Sequence, residues 1–135
     1  MVDITFDELH RKGLMEWVTY LTPFGCPVFV VWRTVDGKAK SRPVVDLRLL
    51  NKYVLPDAYP MPLQNDILYA LRGKNFLTVF DASSFFYQLL VHPDYCDRFT
   101  IVSHRGQEVS KVALIGFKNS PAYGQRYMDG QLRPY

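Results

Sequence analysis

A run of apolar, β-prone residues, Phe76-Leu77-Thr78-Val79-Phe80, ends abruptly in Asp81, and the aromatic residues Phe85, Phe86 and Tyr87 follow within six positions. The composition of the run predicts a strand. A strand that delivers a carboxylate from its C-terminal end presents a hard-oxygen ligand, the kind a cation such as Mg²⁺ takes in small number. The same pattern also fits a turn or a helix N-cap, where an aspartate oxygen meets free backbone N–H groups. On these residues alone both readings stay open.

At 135 residues the chain is at most one ordinary domain or a piece of a larger one. Hydrophobic residues make up 48% and charged residues 21%, which argues for a packed core rather than disorder. Aromatics at 15% suit a dense core and equally suit stacking on bases. The formal net charge of +3 is mild, but it is unevenly placed. Between Val31 and Tyr53 lie Arg33, Lys38, Lys40, Arg42, Arg48 and Lys52 against Asp36 and Asp46. Such a locally basic stretch is a candidate phosphate-contacting surface, with a solvated face as the alternative. Cys26 and Cys96 lack paired spacing, and His10, His92 and His104 lack ligand spacing, so neither a disulfide framework nor a zinc site is expected. With no long apolar stretch and no signal peptide pattern, the sequence reads as intracellular and without a membrane contact; cytoplasm and nucleus are not distinguished.

Along the chain, residues 4–12 predict a short helix stopped by Gly13. Val28–Trp32 and Pro43–Leu47 predict two strands joined through Asp36-Gly37, a hairpin that carries most of the basic residues. Pro62 is placed to open a helix over Leu63–Leu71, ended by Gly73. After the run to Phe80, a second hairpin is expected from Phe99–Ser103 and Glu108–Leu114. Ser120-Pro121 has the form of an N-cap followed by proline, opening a helix towards Leu132. The order is mixed α+β, built on hairpins rather than regular βαβ units.

Four landmarks in sequence order resemble one family. They are Val45-Asp46-Leu47-Arg48-Leu49-Leu50-Asn51, Tyr59-Pro60-Met61-Pro62, the segment Asp81–Gln88, and Gly116-Phe117-Lys118-Asn119-Ser120-Pro121-Ala122 with Gln125. Together they resemble the reverse transcriptase of gypsy-type LTR retrotransposons, from about Pro23 to Tyr135. The resemblance implies the fingers and partial palm of a right-hand polymerase, with residues 1–75 in the fingers and 76–135 in the first part of the palm. It implies RNA-directed DNA polymerisation on an RNA or DNA template–primer with dNTP substrates and Mg²⁺. Asp81 then corresponds to the first catalytic, metal-binding aspartate. Phe86 corresponds to the aromatic gate against the sugar of the incoming nucleotide, and Arg42 to the fingers arginine at its base and triphosphate. Phe85 and Ile115 fall at neighbouring nucleotide-binding positions. Asp46, Arg48, Asn51, Gly116, Lys118, Ser120 and Pro121 correspond to positions along the template.

The sequence also departs from the family. Phe85 stands where glycine is common, Tyr87 where histidine is common, and Ile115 where retroviral enzymes are polar. The fingers lysine has no clean match; Arg33 or Lys38 is the expected substitute. No Tyr-x-Asp-Asp motif, primer grip, thumb or RNase H domain is found in the 135 residues, so a catalytically incomplete fragment is expected, thumb absent. Two other readings stand beside it: a non-catalytic nucleic-acid-binding or interaction module derived from a retroelement, and a remnant without function. Oligomeric state is left undetermined.

Overall fold

In the computed structural model, which describes residues 1–133, Asp36-Gly37 reverses the chain between its two longest strands. Both residues have left-handed backbone, φ 52° and 71°, as a two-residue hairpin loop requires. The strands are longer than the apolar runs that signal them: β2 is Cys26–Val35 and β3 is Lys38–Val45. They pair antiparallel from Val28–Val45 through to Val35–Lys38.

Three short strands extend this hairpin into one sheet. They are β1 (Met15–Trp17), β4 (Thr100–Ser103) and β5 (Gly106–Ser110), and the strand order is β1-β5-β4-β2-β3. Cys26 and Pro27 of β2 run parallel to Ile101 and Val102 of β4, a crossover that hairpin patterning alone does not foretell. The predicted second hairpin forms with a shorter return strand. Beyond Ser110 only Val112 still pairs, in an isolated bridge to Leu90.

The core lies where the sheet meets α1 (Val2–Arg11). Phe6 and Leu9, three residues apart and so on one helical face, pack on Met15, Cys26, Leu47, Phe99, Ile101 and Leu114. A polar clamp closes the other side of this contact. Glu108 of β5 has 0% exposure, receives Nε2 of His10 at 2.8 Å and faces Arg105 at 3.3 Å. Arg105 in turn reaches Asp7 at 2.6 Å, and His10 stacks on Trp17. Burial of this carboxylate is compensated through its Oε1, which meets both Arg105 and His10.

Several helical elements complete the chain. α2 (Arg48–Tyr53) and the 3₁₀ turns Phe85–Gln88 and Pro93–Phe99 are too short to show a helical periodicity in the sequence. α3 (Gln64–Leu71) follows Pro62 as expected, and α4 spans Ser120–Leu132. The cap of α4 corrects the sequence reading. Asn119 is the N-cap residue and Ser120 lies inside the helix, its buried hydroxyl donating to the carbonyl of Leu114 at 3.2 Å. Of the predicted palm segment, Pro134 and Tyr135 lie outside the described residues.

The largest correction concerns Phe76–Phe80, which forms no strand. Extended backbone becomes a strand only when a neighbour completes its hydrogen bonds, and no strand among the described residues takes that place. Phe76, Val79 and Phe80 are 95%, 91% and 91% exposed. The whole stretch 60–84 is exposed and forms an arm. Its root is tied to α4: Tyr59 donates its hydroxyl to Asp129 at 2.6 Å, and Arg126 donates to Asp57 at 2.7 Å.

Candidate nucleic-acid interface

Residues directly opposite in an antiparallel pair share a face, as do alternate residues along a strand. The register Val31–Arg42, Arg33–Lys40 and Val35–Lys38 therefore gathers Arg33, Lys38, Lys40 and Arg42 on one face of the β2–β3 hairpin. Phe29 and Val44 continue the same face towards the body of the molecule. Among the described residues none of these four cations is held in an ion pair. The opposite face turns Val28 and Val45 towards the core.

At its base the cationic face opens into a groove lined by Phe29, Val44, Asp46, Arg48, Asn51, Ile115 and Gly116. The groove unites residues from three parts of the sequence, and each wall has a local cause. Asp46 follows β3 and accepts from the backbone N–H of Arg48, the first residue of α2, at 3.0 Å. The Arg48 guanidinium returns to the same carboxylate with two bonds, at 2.9 and 2.7 Å. These bonds from Arg48, side chain first and backbone second, hold the Asp46 carboxyl down to about 2 and raise the Arg48 guanidinium in turn. The pair that the sequence leaves open between structural and template roles is thus a formed, bidentate contact at the groove wall.

The second wall is stitched to the first by side chain–backbone bonds. Asn51 donates to the carbonyl of Gly116 at 2.8 Å and accepts from the backbone N–H of Lys118 at 2.9 Å. The Lys118 ammonium bonds the Asn51 and Val54 carbonyls at the end of α2, at 3.4 and 3.1 Å. There it meets the negative end of the helix as well as its free carbonyls. Asn119 ties Leu55 and Asp57 to the same loop. Gly116 has φ 95°, a backbone conformation that side chains resist. Pro121 is exposed, whereas Ser120 has turned its hydroxyl inward.

Asp81 stands apart. It is exposed at the end of the arm and does not line the groove. Among the described residues no group of three or more His, Cys, Asp or Glu side chains gathers as a metal site requires. Asp129, the acid nearest in kind on α4, is occupied: Tyr59 and Gln125 both donate to it and lower its pKa, while it raises that of Tyr59. Phe85 and Phe86 lie in the 3₁₀ turn, half-buried, their rings 5.8 Å apart. The Phe85 ring rests on Gly124 of α4. Sequence reasoning does not find this contact, nor the alignment of Lys40 with Arg42. The first carries no local signal, and the second needs the strand register. Among the described residues no helix is long and apolar enough to cross a membrane.

Residues 34–135 match the family model described as reverse transcriptase (RNA-dependent DNA polymerase). The chain is 31% identical over 135 residues to the retrovirus-related Pol polyprotein from transposon 297 of Drosophila melanogaster, an alignment covering 98% of this chain and 13% of that protein. To the enzymatic polyprotein of cauliflower mosaic virus it is 30% identical over 115 residues, covering 84% of this chain and 17% of the viral protein. Among solved structures, prototype foamy virus protease–reverse transcriptase superposes with a TM-score of 0.83 at 22% identity, over 98% of this chain and 17% of that one. The chain therefore spans well under a quarter of the length of each of these relatives.

Proposed function

The chain belongs to the reverse transcriptase (RNA-dependent DNA polymerase) family, and we propose that it is the fingers and the first part of the palm of a gypsy-type retroelement polymerase, residues 1–75 and 76–135 respectively. The observation that carries this reading is the union of an unpaired cationic hairpin face with the groove below it. Residues expected to meet nucleotide (Arg33, Lys38, Arg42, Ile115) adjoin residues expected to meet template (Asp46, Arg48, Asn51, Gly116) along one continuous surface. Phosphates supply the charge that such a surface lacks. The guanidinium of Arg42 suits a triphosphate because it is planar and permanently charged. Arg48, its fork held by Asp46, keeps a fixed direction at the groove mouth.

Lys118 and Asn51 take positioning roles in this reading, since their polar atoms bind the protein's own backbone. They hold the two groove walls at a set distance and leave the template contacts to Arg48 and to the backbone at Gly116. Asp81 is one hard-oxygen donor of the kind Mg²⁺ takes. Asp81 is the residue that would hold such an ion, which would supply charge stabilisation to a primer 3′-hydroxyl and a pyrophosphate leaving group. Among the described residues Asp81 belongs to no group of three or more His, Cys, Asp or Glu side chains that could hold a metal ion.

A second reading, nucleic-acid binding without catalysis, rests on the same unpaired cations and does not need Asp81. Primer extension tests whether the chain catalyses by itself. With template–primer, dNTPs and Mg²⁺, the 135-residue chain is expected to yield no product above that of Asp81→Asn. Product that Asp81→Asn abolishes would show that the chain assembles a working metal site. Failure to bind template–primer at low salt would remove both readings.

A further inference from the structure

Gly124 is buried in the second turn of α4, and the ring of Phe85 lies directly on it. A Cβ built at Gly124 would stand 2.7 Å from Cε1 of that ring, 3.5 Å from Cζ and 3.7 Å from Cδ1. Carbon atoms in contact settle at about 3.5–4.0 Å, so only hydrogen fits at this position while the ring stays where it is. Glycine is a poor helix former. Its place in the middle of α4 is accounted for by the ring it admits.

The turn that carries Phe85 is otherwise held by its backbone. Ser84 has left-handed φ of 49°, and its carbonyl accepts from Tyr87 N–H at 2.9 Å. Gln88 donates to the carbonyl of Ser83 at 2.8 Å, and Tyr87 packs against the core. These contacts hold the backbone around Phe86, and the ring of its neighbour Phe85 lies beside its own, centroids 5.8 Å apart and tilted at 45°. Phe85 can brace Phe86 only if it is itself held, and Gly124 is what it is held against.

We propose that Phe85 and Gly124 form a matched ring and hollow that sets the position of Phe86. Phe85 is then a positioning residue for nucleotide selection and not a nucleotide contact. The role of Phe86 as a gate against the 2′-hydroxyl rests on the polymerase reading above; the packing relation does not. Phe85 stands where the resembled family commonly has glycine. The departure is therefore accommodated across the molecule, by a hollow on a helix some forty residues further along the chain.

The test is a double-mutant cycle in the full 135-residue chain, with Phe86→Trp as a common background so that the introduced indole reports on the gate position. Gly124→Ala should lower the thermal midpoint and change acrylamide quenching of the indole by about twofold or more. Adding Phe85→Ala should return the quenching towards the parent, and the two changes should be non-additive by about tenfold in the folding equilibrium constant, within the range for residues in contact. Additive effects, or quenching that Gly124→Ala leaves unchanged, would overturn the proposal. Titration with Mg²⁺–dATP and Mg²⁺–ATP forms a separate arm. A preference for dATP that Gly124→Ala erodes supports selection through Phe86. If neither nucleotide perturbs the indole while the cycle is non-additive, the ring-and-hollow pair stands and the gate role is lost.

Discussion

Asp46 shows how one residue can serve local structure and a binding surface together. It accepts from the N–H of Arg48, the first residue of α2, and clamps the Arg48 guanidinium at the groove wall. Its carboxyl titrates at about 2 in the fold against an ordinary 3.8. A depressed carboxylate contributes stability that is fully present above the ordinary value and is lost as pH falls through the folded value. The contribution of this pair should therefore disappear between about pH 4 and 2, and Asp46→Asn should flatten the acid limb of stability measured by denaturant titration. Identical acid limbs would mean that the pair adds nothing. Glu108 is the opposite case, a carboxylate with 0% exposure whose Oε1 serves His10 and Arg105 while its Oε2 has no partner among the described residues. Glu108→Ala leaves Arg105 and His10 without their central anion and should cost about 3–5 kcal/mol, the usual penalty for removing one partner of a buried pair. A loss below about 1 kcal/mol in chemical denaturation would show that α1 does not depend on the clamp.

Among the elements, the β2–β3 hairpin is the one whose geometry creates a function that its composition only hints at. Four cations share a face because the turn at Asp36-Gly37 places Lys38 opposite Val35 and Arg42 opposite Val31. A one-residue slip would send the residues of one strand to the other side. Each phosphate neutralised contributes about 0.9 to the slope of log affinity against log salt on duplex DNA. Arg42→Ala combined with Lys40→Ala should weaken binding to a template–primer and reduce that slope by about 1 to 2. An unchanged slope would place the binding surface elsewhere. α2 and the 115–121 loop matter differently. Their mutual bonds through Asn51 and Lys118 set the groove width, so their replacement should weaken binding without the same reduction in slope.

At the scale of the whole molecule, protection is expected to be uneven. The sheet and α1 enclose the core, whereas residues 60–84 are exposed throughout. Phe76, Val79 and Phe80 present apolar surface on backbone that no strand pairs among the described residues, a template for association. In hydrogen exchange the amides of residues 76–81 should be close to unprotected, while the hydrogen-bonded amides of β2 and β4 exchange slowly. Strong, uniform protection in a monomer would show that the arm is packed in solution and would favour a self-sufficient binding module. The ties at its root, Tyr59 to Asp129 and Asp57 to Arg126, anchor the chain to α4 up to Tyr59.

Turn chemistry and short-range pattern are legible in the residues alone. Asp36-Gly37, Pro62 and Gly73 act within a few positions, and backbone sterics there do not depend on the rest of the molecule. The ordered landmarks around Asp46, Asp81 and Gly116 likewise point to the family through residue identity and spacing, and residues 34–135 match it. What lies outside the sequence are relations between distant positions. The strand expected at Phe76–Phe80 meets no partner, because a ladder is a property of two segments and not of one. The parallel contact of β2 with β4, the burial of Glu108 against His10 and the hollow at Gly124 for Phe85 join residues separated by about forty to a hundred positions. Local propensity carries no record of such pairs. They follow from which apolar faces close on one another, and that is decided only when the whole chain is packed.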